Sequence, residues 1–172
     1  TDALAYSGIK QIKDNLIPVY SYKSSDLKTR SAMAYGSLVS GIVLANAGLG
    51  IVHGLASSIG GMFNIPHGTV CGTLLAESTK MNVKRLEQIG NDGEHGLMKY
   101  AIVGAVIAGK GYDVNIDVSY YCSVLIETLE RWTDQLKMDT LGKFGITFKD
   151  VEEIVKKTGL KNNPVILKFE DI

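Results

Sequence analysis

Apolar and polar positions alternate along this chain with a helical period almost from its first residue. Leu4, Ile9, Ile12 and Leu16 fall on one side of a helix predicted over 2–16, with Lys10, Lys13 and Asp14 on the other. Thr1 or Asp2 would cap it, and Pro18 is expected to end it, leaving 20–25 as a loop. Ser25 or Asp26 would then cap a second helix over 27–46, which carries Lys28 and Arg30 in its first turns. From Ala32 onward that helix is small and apolar all round, through Gly36, Leu38, Val39, Gly41, Ile42, Val43 and Leu44. Such a pattern predicts burial on every side. Asn46 breaks the run, either as a contact at the helix C-terminus or as a site residue.

Further along, short helices are expected over 51–61 and from 67 through 75, then over 82–89, followed by a loop at 90–93. A helix over 97–110 would be closed by Gly109 and Gly111. Asp117 or Ser119 would cap another over 120–137, with Val124, Leu125, Leu129, Trp132 and Leu136 inward. Thr147 caps a last helix over 149–158, and Gly159 fits the C′ position. Only 165–169 suggests an extended segment. The chain therefore reads as all-α, a multi-helix bundle in which one nearly uncharged helix is ringed by amphipathic ones, with no internal repeat.

The chemistry concentrates in residues 47–81, AGLGIVHGLASSIGGMFNIPHGTVCGTLLAESTKM, which hold His53 and His67, two of the three histidines. This stretch is nearly free of charge, yet it keeps hydroxyls, an asparagine and two imidazoles, as the wall of a small-molecule site does. Ile51, Val52, Leu55, Ala56 and Ile59 fall at helical offsets, and Gly60-Gly61 is expected to break the helix that carries His53 in its first turn. Pro66 presets a new helix start, so His67 occupies the first turn of the next helix. Two imidazoles on consecutive short helices can converge on one metal ion. They can equally be boundary residues whose ring nitrogens are satisfied locally, since two ligands are not a complete site. The glycines of AGLG do not form a dinucleotide fingerprint: no strand precedes Gly48 and the spacing is wrong. His95, beside Glu94, reads as a solvated residue without a role.

The combination GLGIVHGLASSIGGMFNIPHG, with Pro-His-Gly placing His67 fourteen residues after His53, resembles the metal-binding core of the iron-containing (group III) alcohol dehydrogenases. The likeness extends upstream through TDALAYSGIKQIKDNL and RSAMAYGSLVSGIVLANA, and more weakly down to the NNP near the C-terminus. It implies an all-α domain of the dehydroquinate synthase-like / iron-containing alcohol dehydrogenase C-terminal type, residues 1–172 forming one helical domain. It also implies metal-assisted, NAD(P)-dependent interconversion of alcohols with aldehydes or ketones by the intact enzyme. In that family one Asp and three His hold a divalent metal, and His53 and His67 match the last two histidines by position. Fe2+ or Zn2+ would suit them. Leu55, Phe63 and Ile65 would help keep water out.

Two positions depart from the family pattern. The other two ligands come from a D-x-x-x-H motif upstream of the region where this chain begins; Asp2 does not supply it, because the residue four on is Tyr6. Many members carry a histidine near the substrate where this chain has Ser57. Both ends of the chain look cut, so the resemblance implies a C-terminal fragment, inactive alone, that lacks an N-terminal nucleotide-binding domain. Related zinc enzymes of the glycerol dehydrogenase or dehydroquinate synthase type, and a metal-free helical packing domain, are the alternatives. Di-iron bundles are not supported, because no inward Glu-x-x-His pairs are present.

Composition narrows the partners. With 18 basic and 18 acidic residues the formal net charge is zero, which leaves no electrostatic footprint for nucleic acid or an anionic membrane. No unbroken apolar run is long enough to span a bilayer, because the longest are interrupted by glycine and serine. Cys71 and Cys122 are far apart and outside any metal-ligand spacing, so both are expected as buried free thiols of a reducing cytoplasm. The chain is expected in the cytoplasm, with an alcohol or aldehyde as small-molecule substrate. A face left bare where another domain docks would favour a homo-oligomer.

Overall fold

A computed structural model describes residues 1–111 and 115–172. Among the described residues seven α-helices follow one another: α1 (Asp2–Ser21), α2 (Leu27–Ala47), α3 (Ile51–Met62), α4 (His67–Gln88), α5 (Glu94–Ile107), α6 (Val118–Gln135) and α7 (Phe148–Lys157). Short 3₁₀ turns lie at Gly90–Gly93, Leu141–Phe144 and Phe169–Asp171, and the described residues include no strand. The fold is all-α, as the periodicity predicts. The chain divides into two compact units, one of Thr1–Gly48 with Met98–Thr128, the other of Leu49–Leu97 with Leu129–Ile172.

In the first unit α1 and α2 form a pair of about equal length whose contact is made by small residues. A side chain at Gly36 would run into Ile12, and one at Gly8 would press on Val39. Asp26 caps α2, its carboxylate accepting from Thr29 N at 2.7 Å. Two expectations fail here. Pro18 does not stop α1, which continues to Ser21. A proline in the last turn removes a single backbone donor, and Tyr22 N still donates to Pro18 O at 3.1 Å. The larger correction concerns α2: only Thr29, Gly36 and Val39 are buried, while Leu38 is 64% exposed and Ile42 and Leu44 also face solvent. Hydropathy marks an apolar helix, but burial also needs neighbouring chain on every side, and in this unit it is met along one stripe. Asn46 takes the local role, its side-chain amide donating to Ile42 O at 2.7 Å.

The second unit holds both candidate histidines. Ile51, Leu55 and Ile59 of α3 are buried, as are Val70, Val83 and Leu86 of α4 and Ile154 and Val155 of α7. α3 runs past Gly60-Gly61 to Met62. The two short helices expected over 67–89 are one continuous helix, because no glycine or proline interrupts 73–88 and the Thr79 hydroxyl is absorbed by Leu75 O at 2.8 Å. Thr147 and Asp150 close a capping box at the start of α7. Their bonds, first to the Thr147 backbone and then to its hydroxyl, hold the Asp150 carboxyl below the usual carboxylate range. Gly159 does not serve as a left-handed cap, since its φ is not among the positive values. Its place is explained by α3: a methyl group on Gly54 would fall on the Gly159 carbonyl oxygen. One turn along the same stripe, Thr158 Oγ1 lies 3.1 Å from Ser58 Oγ. Residues 165–169 keep the alternation of an extended segment, with Val165 and Leu167 buried and Ile166 exposed, but pair with no strand.

The C-terminal segment fastens the start of α3. Gly50, at the N-cap position, has no side chain to accept from the first turn, and Asn163 Oδ1 accepts from Ile51 N at 3.1 Å instead. Asn163 Nδ2 donates to Asn82 Oδ1 of α4 at 2.7 Å and to Val165 O at 2.8 Å.

Two substitutions test this packing by urea unfolding. Gly54→Ala should cost at least the 1–3 kcal/mol, in rough terms, of an overpacked core, because a backbone carbonyl rather than a flexible side chain stands in the way. Asn163→Ala should cost about 1–3 kcal/mol by leaving the Ile51 donor without its acceptor and removing the side-chain bond to Asn82.

Candidate metal centre

α3 and α4 bring the two imidazoles together. His53 lies in the first turn of α3, on the side away from the Gly54–Ser58 stripe that packs on Thr158 and Gly159. His67 is the first residue of α4, set there by Pro66, whose carbonyl accepts from Thr69 N at 2.9 Å. Phe63 to Pro66 carry the chain from one helix to the other, with Ile65 buried beneath them. The result is a separation of 3.2 Å between His67 Nε2 and His53 Nδ1, with ring centroids 5.2 Å apart and planes tilted by 32°.

A third donor joins them. Cys71 follows His67 by one helical turn, and its Sγ lies 3.4 Å from His67 Nε2 and 4.0 Å from His53 Nδ1. Cys71 is half-buried, not buried as expected from the sequence, whereas Cys122 is buried as expected. The three donor atoms lie within 4.8 Å of one another. Burial pushes the Cys71 thiol up, so it is protonated when no cation is near. Burial, and next the charge His67 can carry, holds His53 below the ordinary imidazole value. A His53 kept neutral is one with a lone pair to offer. The signal for Cys71 was present in the sequence: residues 67 and 71 stand at i and i+4, so they share one face of any helix that Pro66 starts.

The distances can be compared with what a metal requires. Two imidazole nitrogens on one tetrahedral ion, each bonded at about 2.0–2.1 Å, lie about 3.3 Å apart. The observed 3.2 Å matches. His53 is half-buried and His67 exposed, and imidazole nitrogen suits ferrous iron and zinc alike.

The remaining residues singled out from the sequence fall as follows. Leu55 and Ile65 are buried and Phe63 is half-buried. Ser57 is exposed and its hydroxyl donates to His53 O at 2.8 Å, so its polar atom is spent on the helix that carries the imidazole. It borders an open cavity of about 350 Å³ with Ser58, Gly61, Met62 and Lys157. His95 is exposed and joins no donor cluster. No single described helix is long and apolar enough to cross a membrane.

The family profile described as "Fe-containing alcohol dehydrogenase family, C-terminal" matches residues 1–172. Long-chain-alcohol dehydrogenase 1 of Geobacillus thermodenitrificans is 30% identical over 182 aligned positions, covering 100% of this chain and 42% of that protein. A 1,3-propanediol dehydrogenase of Citrobacter freundii is 40% identical over 83 residues, covering 48% of this chain and 21% of its own length. A crystal structure of a 1,3-propanediol oxidoreductase superposes with a TM-score of 0.81 at 26% identity, over 99% of this chain and 42% of the other. The chain thus spans less than half the length of the relatives it matches. A family profile matched over residues 1–172, together with a helical fold shared over nearly the whole chain, places this chain in the iron-containing alcohol dehydrogenase family, to whose C-terminal part it corresponds.

Proposed function

We propose that this chain is the metal-holding part of an NAD(P)-dependent enzyme that interconverts alcohols with aldehydes or ketones, with His53 and His67 as two of the metal's ligands. The observation that carries the reading is the 3.2 Å approach of His67 Nε2 to His53 Nδ1. A bound Fe2+ or Zn2+ would supply Lewis-acid polarisation of the substrate oxygen, chemistry that suits hydride exchange with a nicotinamide.

The chain's own residues do the holding and the shielding. His53 is carried on a helix whose start is fixed by Asn163 and whose far side is locked against Gly159, so its ring has little freedom to drift. His67 is fixed by Pro66 at the head of α4. Leu55 and Ile65, buried beneath, keep one side of the pair dry and leave the other open to a substrate. The remaining ligands and the nicotinamide site belong, in this reading, to parts of the enzyme outside these 172 residues. The exposed apolar residues of α2, Leu38, Ile42 and Leu44, support docking of further protein on the first unit. The alcohol accepted would be set by this chain together with the parts of the enzyme outside it.

Calorimetric titration with Zn2+, and with Fe2+ under argon, tests the ligand assignment. Binding should be lost in a His53→Ala, His67→Ala double variant that keeps its helical circular dichroism. Equal binding by parent and variant would remove both histidines from the site. The pH dependence follows from His53. Its folded-state pKa lies below the ordinary imidazole value, so the ring stays unprotonated through neutral pH. Metal affinity should therefore fall as pH drops through and below the imidazole range, protons displacing the metal.

A further inference from the structure

The thiol of Cys71 has no task in the reading above. It is half-buried at the centre of the site, pairs with no other cysteine, and meets both imidazoles at once. We propose that Cys71 is itself a metal ligand, so that this chain alone offers a His53–His67–Cys71 donor set. The inference rests on the metal reading of the two histidines and adds to it a sulfur donor, which turns a two-point half-site into a three-point face.

Geometry is the first argument. On a tetrahedral ion with metal–nitrogen bonds of about 2.0–2.1 Å and a metal–sulfur bond of about 2.3 Å, nitrogen and sulfur donors lie about 3.6 Å apart. The observed Sγ distances of 3.4 and 4.0 Å bracket that value, and the nitrogen–nitrogen distance is 3.2 Å. The three atoms therefore form a triangle of the size one ion would close, with no change of helix position. Helix geometry is the second argument. His67 and Cys71 are one turn apart on α4, so both project toward α3 from a single rigid element, and His53 meets them from the facing helix.

The exchange of bonds balances simply. The sulfur–hydrogen bond breaks as the sulfur–metal bond forms, and the proton passes to solvent, with no change of oxidation state. A thiolate is a softer donor than imidazole or carboxylate, so the added sulfur shifts the site's preference from ferrous iron towards zinc. It also explains how this chain could retain an ion without the ligands that other parts of the enzyme would provide.

Cobalt is the probe, because Co2+ takes up zinc sites and reports its ligands in its spectrum. Titrating the reduced chain with Co2+ under argon should give visible ligand-field bands together with a near-ultraviolet thiolate-to-cobalt charge-transfer band. Cys71→Ser should abolish the charge-transfer band. Cys71→Ala should weaken Zn2+ binding at least about tenfold, the lower bound set by removal of even an outer-shell partner. In the unsubstituted chain Zn2+ should slow alkylation of Cys71 by iodoacetamide, read by peptide mass spectrometry. If Co2+ binds through the histidines but shows no charge-transfer band, and Zn2+ leaves alkylation unchanged, Cys71 is only a hydrogen-bonding neighbour of His67. That outcome overturns the sulfur ligand and leaves the histidine reading standing. No binding of Co2+ or Zn2+ by the folded chain overturns both.

Discussion

The bond from the Ile51 amide to the Asn163 side chain is the constraint on which the second unit depends. A helix start leaves backbone donors without partners, and α3 begins after Gly50, which has no side chain with which to accept one. Asn163 reaches in from the end of the chain to fill the place, and is itself held by Asn82 of α4 and by Val165 O. One amide group thus ties together the two helices that carry the imidazoles and the segment that closes over them. Beside it the backbone of Asn162 donates to Leu49 O at 2.7 Å, so the tie is made by main chain as well as side chain.

The same helix shows how one element serves packing and chemistry on different faces. Positions 54 and 58 are small, which lets the Gly159 carbonyl come against the backbone of α3. Positions 51, 55 and 59 are aliphatic and buried. Positions 53 and 57 lie one turn apart on a further face, where they carry the imidazole and an exposed hydroxyl. Because the glycine and serine stripe fixes how α3 is rotated about its axis, it also fixes the direction in which His53 points. The close approach at Gly54 is therefore also a requirement for the placement of His53 in the candidate metal centre.

Several features were legible in the residues themselves. The all-α class follows from the period of 3.6, and the Thr147–Asp150 capping box and the Asp26 cap follow from side chains that compete locally for backbone donors. The candidate histidines were visible from a spacing of fourteen and a proline. Other expectations failed where a local cue met a neighbour it could not foresee. Pro18 breaks a helix only if the turns after it have no other support, and α1 continues for three more residues. Gly159 looked like a helix stop; it is a surface for another helix to lie against.

What the sequence determined alone is what depends on near neighbours in the chain: which stretches are helical, where several of them begin, and that His53 and His67 each sit in a first turn. The side chain of residue i is always close to residues i+3 and i+4, so that information is complete in the order of residues. Only the tertiary structure decided the rest. It set His53 against His67 at 3.2 Å, brought Cys71 within reach of both, supplied Asn163 as the missing cap of α3, and left the apolar α2 largely uncovered. Each of those outcomes depends on which distant segments meet, and hydropathy records how strongly a side chain avoids water without saying what will cover it.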